Sequence, residues 1–167
     1  MIKKYKAIEG LFTLYVKEDE NKVLLEIKPD QLDKIYLCNV TLDAGDGMFF
    51  DSGAMLENFP FVLKRVGKKV QFIHKNVYYR ATPGSPMERA VARGVSSSIL
   101  GSAAIESAPH ADRKSLLVDP SSFFLQDYAM VASGLTEGAK IPVTFDGENS
   151  YFGAVKSFPM NTEIETV

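Results

Sequence analysis

Residues 61–81, FVLKRVGKKVQFIHKNVYYRA, carry the clearest structural signal in this chain. Two runs rich in β-branched and aromatic residues stand on either side of Gly67 and Lys68, and such runs favour strands. A short connection between two strands is typical of an antiparallel hairpin. We therefore predict a hairpin over residues 61–80 that turns near Gly67.

The two-residue period of a strand predicts which side chains of this hairpin share a face. Leu63 is expected on the same face as Phe61 and Arg65, because side chains two positions apart point the same way. The neighbours Phe72 and Ile73 must point to opposite faces, so only one of them can face the core.

Further strand-like segments lie on both sides of this stretch. Residues 11–27, LFTLYVKEDENKVLLEI, form two apolar runs around a polar loop and predict a second hairpin. Residues 35–42 predict a strand, whereas residues 43–60 hold three glycines and four acidic residues and predict a long loop. Residues 139–167 predict strands broken by turns, and the alternation persists to the last residue.

Two helices are expected. Ser85 can cap a helix that begins at Pro86 and ends at Gly94, with Glu88 completing a capping box. A second helix is expected over residues 123–134, FFLQDYAMVASG. The predicted fold class is α+β: a mainly antiparallel, twisted β-sheet built from hairpins, with about two short helices. The length of 167 residues suits a single domain over residues 1–167.

Composition excludes several classes of protein. The formal net charge of −2 is unlike that of a strongly basic nucleic-acid-binding domain, so no nucleic-acid partner is predicted. No apolar run approaches the roughly 18 residues that cross a bilayer, so no membrane span is predicted. The single cysteine, Cys38, excludes a disulfide framework within the chain.

No set of residues predicts a catalytic or zinc site. A structural zinc site takes four Cys or His ligands at short spacings, whereas Cys38, His74 and His110 lie far apart in the sequence. The serine-rich stretches lack the G-x-S-x-G pattern of a nucleophile elbow. We predict no catalytic residue, no bound metal and no cofactor in this chain.

The acidic, glycine-rich loop at residues 43–53 is a candidate calcium site. Asp43, Asp46 and Asp51 would repel a phosphate, but carboxylates are ligands for calcium. Their spacing differs from that of an EF-hand loop. An ordinary turn-rich loop is the preferred interpretation.

Residues 64–80 form a basic segment with six Lys or Arg residues and no acid. Aromatic residues stand among the cations, a combination found in proteins that bind single-stranded nucleic acid and also on solvated strand faces. With the net charge of the whole chain at −2, a surface for a protein partner is the preferred interpretation. The candidate partner-binding residues are Arg65, Lys69, Lys75 and Arg80.

Five blocks of the chain, taken in order, resemble a known domain family. They read IEGLFTLYVKEDENKVLLEIKPDQLDKIYLCNVTLDAG, FVLKRVGKKVQFIHKNVYYRA, SPMERAVARGVSSSIL, KSLLVDPSSFFLQD and SYFGAVKSFPMNTEIETV. Their order and their coverage of nearly the whole chain carry the resemblance, because no block holds a catalytic signature. The chain is similar to the domain of unknown function that precedes the catalytic domain in bacterial zinc-dependent metalloproteases of the H-E-x-x-H type.

The resemblance implies a non-catalytic N-terminal accessory domain, excised from a zinc metallopeptidase that is exported to the periplasm or the cell exterior. Its partner would be the catalytic domain of the same polypeptide. A peptide or protein substrate would be a second partner. Zinc would bind only in that catalytic domain. The accessory domain would cover the catalytic cleft, orient substrate or aid folding, and the strand at residues 164–167 would be an edge to which the enzyme attaches.

One alternative stays open at this point. The chain would then be an independent ligand- or protein-binding module, rich in β-structure, that uses the basic hairpin 64–80 or the acidic loop 43–53.

Overall fold

Ten strands make up most of the regular structure in the computed structural model, which describes residues 2–45, 47 and 51–167. In chain order they are β1 (Lys6–Ile8), β2 (Thr13–Lys17), β3 (Lys22–Ile27), β4 (Tyr36–Thr41), β5 (Met55–Val66), β6 (Lys69–His74), β7 (Ser98–Ala104), β8 (Leu116–Val118), β9 (Phe152–Ser157) and β10 (Thr162–Thr166). One sheet has the order β1-β2-β3-β8, a second has the order β4-β5-β6-β7, and β9 pairs with β10. Every strand pair named here is antiparallel.

The helices are short. They are α1 (Pro86–Gly94), α2 (Ser121–Phe124) and α3 (Val131–Ser133), and a π-helical turn (Gly134–Gly138) follows α3. Antiparallel sheets with a few short helices confirm the predicted α+β class. In the described part of the chain, no helix is long and apolar enough to span a membrane.

The two four-stranded sheets enclose one hydrophobic core. They meet where Ile105, just after β7, forms a bridge with Val118 of β8. Phenylalanine dominates the core: the ring centroid of Phe72 lies 4.7 Å from that of Phe61 and 5.6 Å from that of Phe123 in α2. Gly101 of β7 allows α2 to sit this close, because a Cβ atom at Gly101 would overlap the backbone of Ser122.

The hairpin predicted around Gly67 is confirmed for β5 and β6. Gly67 has a φ of 60°, a left-handed conformation that glycine adopts without steric cost. Leu63 pairs with Phe72 across the turn, and both side chains are buried in the core. Ile73 points to the opposite face and is half-buried, as the alternation of a strand requires.

Three predicted boundaries are wrong. β6 ends at His74 rather than near residue 80, because the chain turns away at Asn76, whose amide donates to the Val95 carbonyl at 3.3 Å. Residues 55–60 are the first half of β5 and not part of a loop, because they pair with β4.

The third wrong boundary concerns the helix predicted over residues 123–134. It is divided into α2 and α3, because Met130 takes a left-handed φ of 50°. The carboxylate of Asp127 accepts hydrogen bonds from Val131 N and Ala132 N, each at 2.9 Å, and these bonds start a new turn at α3. Side-chain bonds of this kind compete with a continuous helix.

The C-terminal hairpin packs beside the start of β2. Leu11 N donates to the Phe158 carbonyl at 2.6 Å, and Ser157 Oγ donates to the Phe12 carbonyl at 2.6 Å. The predicted strand at the end of the chain is confirmed by β10, and Val167 exchanges two backbone hydrogen bonds with Tyr151.

Candidate protein-binding surface

The β4–β7 sheet has an outer face, the face opposite the core, on which apolar side chains lie in a row. The register places Val62 of β5 beside Ile73 of β6, and Ile73 beside Ile99 of β7. Ile35, just before β4, joins Val62 and Ile73 around a groove of about 490 Å³. We call these four residues, Ile35, Val62, Ile73 and Ile99, the apolar row.

The two ends of this row are open to solvent, whereas Val62 is buried and Ile73 is half-buried. Ile35 and Ile99, at its two ends, are 63% and 58% exposed, and Leu37 in the next row is 64% exposed. Single exposed apolar residues are common on soluble proteins, but a contiguous set on one sheet face is typical of an interaction site.

Cations surround the apolar row. The side chains of Lys64 and Lys75 line the same groove, and Asp33 contributes one carboxylate. Lys69 lies further along the outer face, where it pairs with Val66 and Ala104. The outer face is therefore apolar in its centre and mainly basic at its margins.

The four candidate residues from the sequence do not lie on one surface. Arg65 pairs with Val70 and Lys69 pairs with Val66, so Arg65 and Lys69 point to opposite faces of the hairpin. Lys75 and Arg80 come together in a second groove, of about 520 Å³, between residues 75–81 and α1. Lys75 lines both grooves, and so connects this second groove to the outer face.

Sequence reasoning missed Ile35, Leu37 and Ile99. Their signal was present: β4 and β7 carry apolar residues at both odd and even positions, whereas a strand with one solvated face alternates strictly. The sequence does not show that these three residues lie on one face, because this depends on the order of the strands in the sheet.

Cys38, His74 and His110 are held in separate environments. Cys38 lies beside the core on β4, and burial raises the pKa of its thiol to about 11, so the thiol stays protonated at neutral pH. The ring of His74 lies 4.9 Å from that of Phe59. Nδ1 of His110 accepts hydrogen bonds from Asp112 N and Arg113 N, each at 3.2 Å. Among residues 2–45, 47 and 51–167, no three Cys, His, Asp or Glu side chains are grouped as metal ligands.

The acidic loop at 43–53 is described only in part, because Asp46 and residues 48–50 lie outside the described residues. Ser52 Oγ donates to the Asp43 carbonyl at 2.6 Å, and Gly53 N donates to the Leu42 carbonyl at 2.7 Å. These bonds join the residues just after β4 to those just before β5.

A buried carboxylate lies on the first sheet, away from both grooves. Glu26 of β3 accepts hydrogen bonds from Tyr15 Oη at 2.9 Å, from Arg113 Nε at 2.8 Å and from Ser115 Oγ. Burial alone would raise the pKa of Glu26, but the bonds from Ser115, Arg113 and Tyr15 outweigh it and hold that pKa below its ordinary value. The carboxylate is therefore a structural ion that fastens the loop before β8 to β3.

These features define a small α+β domain with two antiparallel sheets around one core and an open, basic-margined sheet face. The sequence matches the family described as Domain of unknown function (DUF5117) over residues 53–167, and the chain belongs to this family. The match includes β5 to β10 and all three helices, and β1 to β4 precede it. No curated protein and no solved structure matches the chain.

Proposed function

We propose that this chain is a non-catalytic accessory domain of a bacterial, exported zinc-dependent metallopeptidase, and that the outer face of its β4–β7 sheet binds the catalytic domain of the same polypeptide. The proposal takes its partner from the resemblance of five ordered sequence blocks. Zinc would belong to the partner, and the bound accessory domain would cover the cleft, orient a peptide substrate or aid folding.

One observation carries the binding role. The apolar row crosses β5, β6 and β7 and ends in two side chains that are more than half exposed, Ile99 on β7 and Ile35 just before β4. Covering a large aliphatic side chain contributes about 1.5–3 kcal/mol. A partner that covers this row together with Leu37 therefore gains a central apolar patch with a polar rim, the usual anatomy of a protein interface.

Binding to the catalytic domain tests the proposal. The gene that encodes this chain should also encode an H-E-x-x-H domain, and that domain, expressed separately, should bind the chain in isothermal titration calorimetry. Ile99→Glu should weaken binding about tenfold or more, because a charge replaces roughly 1.5–3 kcal/mol of apolar burial. Ile141→Glu is the matched control, since Ile141 is 52% exposed and Ile99 is 58% exposed, but Ile141 does not belong to the β4–β7 sheet.

Two results would contradict this proposal. A gene without an H-E-x-x-H domain would remove the partner. Equal affinity of the Ile99→Glu and Ile141→Glu variants would show that the catalytic domain binds elsewhere on the chain.

The proposal also predicts the behaviour of the chain alone. The purified chain should cleave no peptide and should retain no stoichiometric zinc, because catalytic zinc needs about three protein ligands on a prepared scaffold. Elemental analysis and a fluorogenic peptide assay measure these two properties. One zinc ion per chain would contradict the prediction that zinc belongs to the partner, and cleavage that a chelator abolishes would assign an enzyme activity to the chain itself.

The second candidate function is an independent binding module that uses the basic segment 64–80. The observation that favours it is the groove shared by Lys75 and Arg80.

A further inference from the structure

The groove between residues 75–81 and α1 has a built frame. Asn76 connects its two walls: its backbone N–H donates to Ser97 Oγ and its side-chain amide to the Val95 carbonyl, each at 3.3 Å. Asn76 Oδ1 also accepts from Tyr78 N at 3.2 Å, which fixes the turn into the basic wall. These three bonds hold the two walls of the groove in place.

The second wall is a capped helix. Ser85 Oγ accepts from Glu88 N at 3.1 Å and caps α1, as predicted. The predicted capping box does not form, because the Glu88 carboxylate accepts from Gly84 N at 2.7 Å and not from Ser85 N. No residue of α1 is buried. The helix is therefore not part of the hydrophobic core. Its groove-facing side, which includes Val91 and Val95, is available to a ligand in the groove.

The lining of the groove combines apolar, aromatic and cationic groups. Val91 and Val95 supply the apolar part, Lys75 and Arg80 the charge, and Tyr79, which is 61% exposed, an aromatic ring. Glu88 is the one carboxylate among the lining residues, and it is engaged by the N-terminus of its own helix. Arg89 and Arg93 lie on the adjacent row of α1, by the helical period.

The charge of this region contrasts with that of the whole chain. The chain has a net charge of −2, whereas cations outnumber carboxylates around this groove. Complementary charge selects partners and speeds their encounter, and a like-charged partner is rejected. Because Lys75 and Ser97 line both grooves, an extended segment can continue from this groove onto the outer face.

We infer that the groove between residues 75–81 and α1 binds an extended acidic polypeptide segment, whose aliphatic side chains pack on Val91 and Val95 while its carboxylates meet Lys75 and Arg80. This inference goes beyond the proposed function, since it requires neither a metallopeptidase nor the apolar row. Such a segment belongs to a protein ligand, not to a nucleic acid.

Fluorescence polarisation with a synthetic ligand tests the inference. The probe is a short fluorescein-labelled peptide of repeated Glu-Glu-Leu, and the full 167-residue chain is titrated into it at low salt. We expect saturable binding that weakens as salt is added, because exposed charges are screened over about 8–10 Å near physiological ionic strength. Arg80→Glu should weaken binding at least tenfold, and Tyr79→Ala should also weaken it, without a change of charge.

Arg65→Glu is the matched control for charge. Arg65 is an exposed arginine of the same basic segment, but it lies on the face of the hairpin opposite the outer face and does not line the groove. Reversing its charge should therefore leave the peptide affinity unchanged. Equal weakening by Arg65→Glu and Arg80→Glu would overturn the inference, because binding would then follow net charge alone. Tighter binding of labelled oligothymidine than of the peptide would assign the groove to nucleic acid, and no peptide binding at low salt would also refute the inference.

The two binding proposals fail separately. If the groove inference is wrong and the accessory role is right, Arg80→Glu leaves binding to the catalytic domain unchanged while Ile99→Glu weakens it. If only the groove inference is right, the peptide binds and the catalytic domain does not.

Discussion

Phe72→Ala should lower the free energy of unfolding by about 3–5 kcal/mol, the range for deleting a buried phenylalanine ring. Phe72 is fully buried, and its ring meets those of Phe59, Phe61, Phe123 and Phe124 at centroid distances between 4.7 and 6.0 Å. These neighbours come from the second sheet and from α2, so they cannot all move to fill the space. Chemical denaturation with urea measures the change.

Ile73→Ala provides the control for this prediction. Ile73 is the next residue in β6 but points to the outer face and is half-buried, so its loss should cost about 1–2 kcal/mol. If Ile73→Ala were as destabilising as Phe72→Ala, the assignment of inner and outer faces to the β4–β7 sheet would be wrong, and the apolar row with it.

Glu26→Gln should cost about 1–3 kcal/mol at neutral pH, the penalty for leaving a buried donor or acceptor without its partner. The amide group of glutamine brings two donors where Tyr15, Arg113 and Ser115 all donate in the native chain. The bond from one of these donors must then break or, for a hydroxyl, reverse, and Arg113 loses the negative charge of its partner. Glu148→Gln, at an exposed position in the loop before β9, is the control and should be nearly silent.

The same carboxylate makes stability depend on pH. The pKa of Glu26 is lower in the folded chain than the value of about 4.3 for an unfolded glutamate, so its contribution is fully present above that value. The contribution is lost as the pH falls through the lower, folded pKa, because the unfolded chain then gains protons first. Denaturation at several pH values between about 7 and 3 should show a smaller loss of stability in Glu26→Gln than in the native chain. Identical slopes would show that Glu26 carries no ionic contribution.

Local patterns predicted those parts of the fold that depend on nearby residues. The hairpin of β5 and β6 follows from alternation and from a glycine at the turn, and α1 follows from Ser85, Pro86 and Glu88 at its start. All of these signals lie within a few residues of the structure that they specify.

Features that depend on tertiary contacts were not predictable from local patterns. Gln126 lies between α2 and α3, and its side-chain amide donates to the Leu100 carbonyl on β7 at 3.1 Å, so a tertiary contact adds to the local bonds of Asp127. The helical pattern of residues 123–134 gives no sign of that contact. The grouping of Ile35 with Ile99 likewise depends on strand order, which pattern and propensity do not specify.

The candidate site also combines features that local sequence predicts with features that depend on tertiary structure. The basic character of residues 64–80 was visible in the sequence, but the register of β5 with β6 decides which cations share a face, and it separates Arg65 from Lys69. Lys75 and Arg80 meet in one groove because the chain leaves the sheet at Asn76. A prediction that extended the strand to residue 80 could not find this groove.

The pairing of β3 with β8 also has a consequence for folding kinetics. Arg113 and Ser115, which fasten the loop before β8 onto Glu26, follow Glu26 in the sequence by 87 and 89 residues. Contacts between such distant residues form late, because the entropy of closing the intervening loop is lost before the contacts offset it. During synthesis on the ribosome, the hairpin of β2 and β3 emerges early, and the edge of β3 stays unpaired until β8 has been synthesised. The first sheet is therefore completed only after the β4–β7 sheet, and until then the open edge of β3 is exposed to wrong pairing.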